Sequence, residues 1–187
     1  MNTPTHPILT KKQGWLFIAI LVIYCITIHF NHFGEMPSGI HTWTQSDHYA
    51  LARGFVENDL NFFRPQTLAY PYHYPATFNP ANPSLVTAVD FPIHNYIPAV
   101  IMKITGSESP LIYQLYMLLI SIIGLIYLFR LSILINQSVT LSLLIVAFVA
   151  FSPVFTFYQI RFIPSVPSLC TTIIGLYYGM LYRQTKQ

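Results

Sequence analysis

Four stretches of this chain are apolar over lengths that matter to a bilayer, which a helix crosses with about 20 mostly apolar residues. The first, 14–30, reads GWLFIAILVIYCITIHF and carries no Asp, Glu, Lys or Arg. The second, 110–129, reads PLIYQLYMLLISIIGLIYLF and stops at Arg130. The third covers 139–158, with Pro153 near its far end, and the fourth covers 163–182 and stops at Arg183. Pro164, Ser165 and Pro167 stand at the head of the fourth, so its first turn is expected either as helix or as loop. Between the first and second runs lies a long polar and aromatic stretch, about 32–109, too long for a structureless connection. Within it, TWTQSDHYALARGFVENDL around Thr44 reads as a helix with Tyr49, Ala52, Phe55 and Val56 on one face. A second helix is expected from Asp90-Phe91-Pro92 to Gly106, with Ile93, Ile97, Val100, Ile101 and Ile104 as its apolar stripe. It is short and one-sided, which fits a helix lying along a membrane surface better than one crossing it. The segment joining the two, LAYPYHYPATFNPANPSL, is dense in Tyr, Pro and Asn and reads as extended or turn-rich. No internal repeat is visible.

Composition fixes the environment of these elements. Apolar residues make up 53% of the 187 and charged residues only 8%, against roughly 25% in a soluble domain. Mean hydropathy is +0.51. Too few charges are present to cover a water-soluble surface, and the chain is far too hydrophobic for disorder. A net charge of +3 supplies no basic patch able to neutralise several phosphates, which excludes nucleic acid as a partner. Cys25 and Cys170 sit in apolar runs and read as small buried hydrophobes rather than as a disulfide. No small-residue cleavage site follows the first run, so it does not read as a signal peptide. The expected fold is all-α and integral to a membrane, with about four transmembrane helices and a large extracytoplasmic loop, 32–109, carrying two interfacial helices. The whole chain, 1–187, is expected to form one membrane domain. Lys11, Lys12, Arg130, Arg183 and Lys186 lie at span ends on one side, whereas Arg53, Arg64, Lys103 and Arg161 are spread over a longer stretch on the other. By the positive-inside rule both termini are expected in the cytoplasm.

The loop holds all six acidic residues: Glu35, Asp47, Glu57, Asp59, Asp90 and Glu108. Asp47, in His41-Thr-Trp-Thr-Gln-Ser-Asp47-His48, and Asp90, in Asp90-Phe-Pro-Ile-His-Asn-Tyr96, head the two expected loop helices. Converging there, they could take a proton from a hydroxyl or share a divalent cation, whose hard-oxygen preference suits Mg²⁺ or Mn²⁺. The plainer alternative, which the residues by themselves favour, is a capping role: Thr44-x-x-Asp47 has capping-box spacing, and Asp90 two residues before Pro92 reads as an N-cap. His29, His32, His41, His48, His73 and His94 show no pair at the i, i+4 spacing a zinc site would want on a helix. Arg64 and Arg161 are candidates for a phosphate, or are solvated and headgroup-anchoring charges. Trp15, Trp43 and Tyr182 read as members of an aromatic belt. No serine elbow, P-loop or dinucleotide fingerprint occurs, and the spans lack the acidic and basic relay groups of a proton-coupled transporter.

Three ordered features resemble the family 39-type, GT-C fold glycosyltransferases, the protein O-mannosyltransferases and lipid A aminoarabinose transferases among them. Thr42-Trp43-Thr44-Gln45-Ser46-Asp47 followed by Tyr49-Ala-Leu-Ala-Arg53-Gly-Phe55 is similar to their W-x-Q-x-D motif and the A-R-x-F helix after it. Asp90-Phe91-Pro92 resembles the acidic-x-Pro motif opening their second interfacial helix, and Ser152-Pro153 with Arg161-Phe-Ile-Pro164 resembles the region before their fourth span. The resemblance implies an inverting membrane glycosyltransferase of the bacterial inner membrane, taking sugar from a polyprenyl-phosphate donor to a hydroxyl on a glycan, lipid or protein. It implies Asp47 and Asp90 as catalytic groups and as the tentative metal ligands. Arg64, Arg161, His48 and His94 are then the candidates for binding donor phosphate or substrate, and membrane lipid is a further partner. Two departures accompany the resemblance. Ser165 stands where many relatives carry Asp after the Pro, and the chain ends after the fourth run where relatives continue through many more spans. The expectation is therefore the N-terminal part of such an enzyme, incomplete when alone. The alternative is a small four-span protein, not an enzyme, that binds lipid or partner subunits.

Overall fold

The computed structural model describes residues 10–67, 86–87 and 89–186, with no side-chain placement for Lys11. Seven α-helices follow one another among these residues: α1 Lys11–His29, α2 Thr42–Glu57, α3 Ile93–Thr105, α4 Pro110–Asn136, α5 Val139–Ala150, α6 Pro153–Tyr158 and α7 Ser165–Thr185. A 3₁₀ turn, Phe30–His32, extends α1. No strand occurs among the described residues, only an isolated antiparallel bridge between Gln66 and Val86. His73 and the rest of the Tyr/Pro-rich 68–85 segment lie outside the described residues. The chain divides into two units, Met1–Asn31 with Met117–Ile160 and Ser165–Gln187, and His32–Tyr116 with Arg161–Pro164.

In the first unit, α1 begins with a capping box. Thr10 receives the Gln13 backbone N–H, and the Gln13 side chain reaches back to the Thr10 N–H at 2.7 Å. The stretch Lys12–His32 and α4 are each long and apolar enough to cross a membrane, at 21 and 27 residues. The third apolar run is not one helix. Phe151 and Ser152 leave helical geometry, and Pro153 opens α6. Proline lacks the N–H that would continue α5 and is pre-set for a first turn, so the run splits there. Pro167 has the opposite effect in α7. It falls within the first turn after Ser165, where its missing N–H costs nothing, and the helix starts at Ser165 rather than after a loop. Gly124 of α4 lets α7 approach closely: a Cβ built there would stand 2.2 Å from Cys170 Sγ. Cys25 and Cys170 are both free and buried, as their apolar settings imply.

The second unit packs α2 on α3. On α2 the buried side includes Tyr49, Ala52 and Phe55, as the spacing predicts, and also Gln45. Gly54 faces the 65–67 segment so tightly that a Cβ would meet the Gln66 carbonyl oxygen at 2.0 Å. On α3 the expected isoleucine stripe lies on one face. The buried residues are His94, Asn95, Pro98, Ala99 and Met102, while Ile101 is exposed and Ile104 is 79% exposed. Ile93, Ile97 and Val100 are half-buried. The polar residues of α3 thus pack inward and its isoleucine stripe is the outer face. Gly106, at φ +65°, closes α3 in the left-handed conformation.

Candidate functional site

The site is assembled in the second unit, at the heads of α2 and α3. The chain enters α2 through His41, held at φ 57°, ψ 33°, with no side-chain cap bond among the described residues. Gln45, fully buried, donates from Nε2 to the carbonyl oxygens of Ser38 at 3.0 Å and Ile40 at 2.8 Å. That pair of bonds ties the preceding loop to the first turn and does the work that a side-chain cap would otherwise do. Because the helix already starts at Thr42, Asp47 lies in its second turn, past any capping position, and is half-buried. Asp90 is no cap either. The N-cap of α3 is Pro92, whose carbonyl receives the N–H groups of Asn95 and Tyr96 at 2.9 Å each, and Asp90 stands exposed before it.

His48, next to Asp47, is the point on which these elements converge. Its Nδ1 is buried without a hydrogen-bond partner among the described residues. Burial pulls the imidazole below its usual pKa. The Asp47 carboxylate, a hydrogen bond with the Asn95 side chain and the Asp90 carboxylate, in that order, act the other way. Both acids that the sequence singles out therefore bear on one imidazole, although they come from different segments. Asn95 is itself held: Tyr113 donates its hydroxyl to Asn95 Oδ1 at 2.5 Å. Tyr113 is fully buried and its ring lies 5.1 Å from that of Phe162, which also meets Tyr49 at 5.2 Å.

The other candidates are placed differently. His94 is 6% exposed and its Nδ1 lies 2.7 Å from the Tyr116 hydroxyl; burial lowers its pKa. Arg64 is exposed in the turn after α2, where its carbonyl oxygen accepts from Asn58 at 2.7 Å. Arg161 is half-buried and reaches Ser38 Oγ at 3.4 Å. His32 pairs with Glu35 at 3.2 Å with both side chains largely exposed. In the other unit, His29 Nε2 meets Gln159 Oε1 at 3.1 Å. Among the described residues no three His, Cys, Asp or Glu side chains are grouped closely enough to hold a metal ion.

Several residues that sequence reasoning passed over organise this unit. Arg53 Nε binds Glu108, and the Tyr49 hydroxyl donates to the Glu108 carbonyl, so the turn before α4 is fastened to α2. Burial, more than the nearby Glu108 charge, raises the Tyr49 pKa, and Arg53 opposes it. Gln114 Oε1 accepts from the Gly34 N–H at 2.6 Å, and its Nε2 donates to His32 O at 3.2 Å and Glu35 O at 3.3 Å. The available signal was the polar character of Tyr113 and Gln114 inside an otherwise apolar run.

Fold and site together define a chain that is helical without strands among the described residues, with two helices long and apolar enough to span a membrane, and an acid–histidine–amide group in the second unit. No family model matches this chain, and neither a curated protein nor a solved structure does.

Proposed function

We propose that the chain is a membrane glycosyltransferase, or the N-terminal part of one, that moves a sugar from a polyprenyl-phosphate donor to an acceptor hydroxyl on a glycan, lipid or protein. The observation that carries this reading is that neither Asp47, in the second turn of α2, nor Asp90, exposed before α3, is spent on capping a helix. Four crossings, by α1, α4, the broken α5–α6 pair and α7, are the topology that goes with it, in a bacterial inner membrane with both termini cytoplasmic and 32–109 outside. The outward isoleucine stripe of α3 supports an interfacial position for that helix. In the first unit, an open apolar cavity of about 510 Å³ lined by Phe148, Phe155, Tyr158, Val166 and Leu169 among others supports a place for a lipid chain.

In this mechanism Asp47 accepts the proton of the acceptor hydroxyl. The oxygen attacks the anomeric carbon from the face opposite the phosphate. The bond from that carbon to the phosphate oxygen breaks, its electron pair leaves with the lipid phosphate, and configuration inverts. Asp47 is half-buried, so its carboxylate acts where water screens it less than at an open surface. Asp90 holds the acceptor by accepting a second hydroxyl hydrogen. Arg64 and Arg161 are the cations available to offset phosphate charge. Asp47 and Asp90 are the hard-oxygen groups that would hold a Mg²⁺ or Mn²⁺ ion, whose charge would offset that of the leaving phosphate.

The test is transfer by membranes carrying this chain, supplied with a labelled polyprenyl-phosphate sugar pool. Asp47→Asn keeps shape and removes the base. Transfer should fall at least about a hundredfold while membrane insertion is unchanged. Undiminished transfer by Asp47→Asn would refute the assigned role.

A further inference from the structure

We propose that the end of the first unit where α1 begins and α4 leaves its apolar run is a binding site for the phosphate of an anionic phospholipid. Arg130 is the group that meets the phosphate, and the Tyr127–Tyr178 hydroxyl pair supplies a further donor. Trp15 and Tyr127 position the guanidinium. The site depends on α1 and α4 lying in a bilayer and not on which reaction the chain catalyses.

The first unit holds cations without carboxylate side chains. Every Asp and Glu of the chain falls between Glu35 and Glu108, whereas Met1–Asn31, Met117–Ile160 and Ser165–Gln187 contain none. The Lys and Arg of that unit are Lys11, Lys12, Arg130, Arg183 and Lys186. Arg130 is exposed, and among the described residues it makes no hydrogen bond and no ion pair. Its guanidinium lies over the Trp15 ring of α1 at 5.6 Å and over the Tyr127 ring, one turn back on α4, at 5.4 Å, both within cation–π range. The Trp15 ring is itself set edge-on to Phe129 at 5.4 Å, and Phe129 is buried. The head of α1 thus holds the cation in place from a packed base. Ring faces attract a guanidinium but leave the in-plane N–H groups of its fork unspent.

The tyrosine pair adds a donor by count. The hydroxyl oxygens of Tyr127, on α4, and Tyr178, on α7, are 2.7 Å apart. Two hydroxyls bring two protons, and the contact between them uses one. The other proton has no acceptor among the described residues. A guanidinium fork over a ring that carries such a hydroxyl is a set of donors with one permanent positive charge. It calls for an anion with several acceptor oxygens, and Arg meets phosphate through two parallel N–H···O bonds. The level along the helices selects the source of that phosphate. Trp15 is the second residue of the apolar run 14–30, and Arg130 is the first charge after 110–129. In a bilayer both stand at the boundary between acyl chains and headgroups. Just inside that boundary α1 exposes Leu16 and Ile20, apolar surface for the acyl chain of the same lipid, which a free phosphate ion would leave unused.

The experiment uses the full chain with Trp43→Phe, which leaves Trp15 as its single tryptophan. It is placed in phosphatidylcholine nanodiscs holding the same minor fraction of either phosphatidylglycerol or phosphatidylcholine brominated near the headgroup end of the acyl chain. Bromine quenches a nearby indole, so the ratio of the two quenching constants reads the enrichment of the anionic lipid beside Trp15. A ratio of about five is expected, and a ratio of one would overturn the proposal. Arg130→Gln, with helicity unchanged by circular dichroism, should lower the ratio at least about twofold. An unchanged ratio would reduce the effect to diffuse attraction by the other cations and overturn the site. Arg130→Lys keeps the charge and loses the fork, so its ratio should fall between those two; a ratio equal to the parent's would overturn the two-bond contact. Tyr127→Phe/Tyr178→Phe keeps both rings and removes both hydroxyls. It should weaken the enrichment about twofold, and either single change, which leaves one proton, should weaken it less. An unchanged ratio in the double variant would overturn the part given to the hydroxyls. Sodium phosphate added to the parent should act no differently from sodium chloride at equal ionic strength. Loss of the enrichment with phosphate alone would make this a site for the free ion and overturn the lipid assignment.

Discussion

Gly124→Ala is a single-carbon test of how α4 and α7 are packed. The added Cβ would stand 2.2 Å from Cys170 Sγ, 2.5 Å from Cys170 Cβ and 3.1 Å from Cys170 Cα. The first two are far inside contact distance, and only the thiol can swing away. Relief of the Cβ contact requires the helices to move apart. Overpacking of this kind costs about 1–3 kcal/mol, and with backbone in the way the upper half of that range applies. Alanine returns up to about 1 kcal/mol through its better helix propensity, so the net loss should be about 1–2 kcal/mol. Small residues are what allow such approaches between membrane helices, where apolar burial gives little drive to associate. Unfolding of the purified chain in mixed micelles, followed by circular dichroism, gives the loss. Maleimide labelling of Cys170 in a Cys25→Ser background gives the separation. Cys170→Gly removes both Sγ and Cβ, so the double variant Gly124→Ala/Cys170→Gly should recover more than about 1 kcal/mol relative to the sum of the single changes. A Gly124→Ala protein as stable as the parent, with Cys170 as slow to label, would refute the packing argument.

Three further outcomes are expected. Glu108→Gln breaks the ion pair with Arg53, but the two side chains are 33% and 40% exposed, so the loss of stability should stay under about 1 kcal/mol, measured by the same denaturation; Tyr49→Phe should cost at least as much, because Tyr49 is buried. His48 and His94 both titrate below 6.5 in the folded chain. The unfolded chain therefore binds more protons just below that pH, and stability should fall as pH drops through 6.5, by at most about 1.4 kcal/mol per pH unit for each histidine; a melting temperature that rises on acidification over this window would contradict both placements. For α3, a fluorophore on Ile104→Cys in a Cys25→Ser/Cys170→Ser background should be quenched by lipid-borne quenchers more than by iodide, and the reverse preference would detach the isoleucine stripe from the bilayer.

The elements themselves were legible because their signals are local. Apolar runs mark α1 and α4 and one-sided spacing marks α2 and α3, but the bounds differ: α1 starts at Lys11 behind its Thr10 cap, α2 starts at Thr42, and α4 runs past Arg130 to Asn136. The places where reading failed are those where a local rule has two consequences. Pro153 and Pro167 are the same residue in similar company, yet one splits a run and the other sits inside a helix. What differs is position: Pro153 follows twelve helical residues of α5, whereas Pro167 falls in a first turn where no N–H is needed. For α3, the stripe Ile93, Ile97, Val100, Ile101 and Ile104 was correctly seen as one face. Which way that face points depends on what lies outside the helix. In water it would turn inward; here His94, Asn95 and Met102 take the inner side. Under the proposed interfacial position of α3, that outer face meets an apolar medium.

The site was legible in its ends and hidden in its middle. Asp47 and Asp90 could be picked out because each stands near the start of a helix in a chain with few charges. Their apparent explanation as caps rested on guessed helix starts, and a start two residues earlier at Thr42 moves Asp47 into the second turn. Asn95 and Tyr113 carry no motif, and Tyr113 lies within an apolar run where a tyrosine reads as belt or filler. Their meaning exists only once α3 is rotated with its polar side inward, because that rotation brings Asn95 to the Tyr113 hydroxyl and to His48. The two observations are therefore linked. If α3 turned its isoleucines inward, Asn95 would face out and the buried Tyr113 hydroxyl would keep only its 3.4 Å contact with the Phe162 carbonyl oxygen. The outward isoleucine stripe and the Asn95–Tyr113 hydrogen bond are two consequences of one helix orientation.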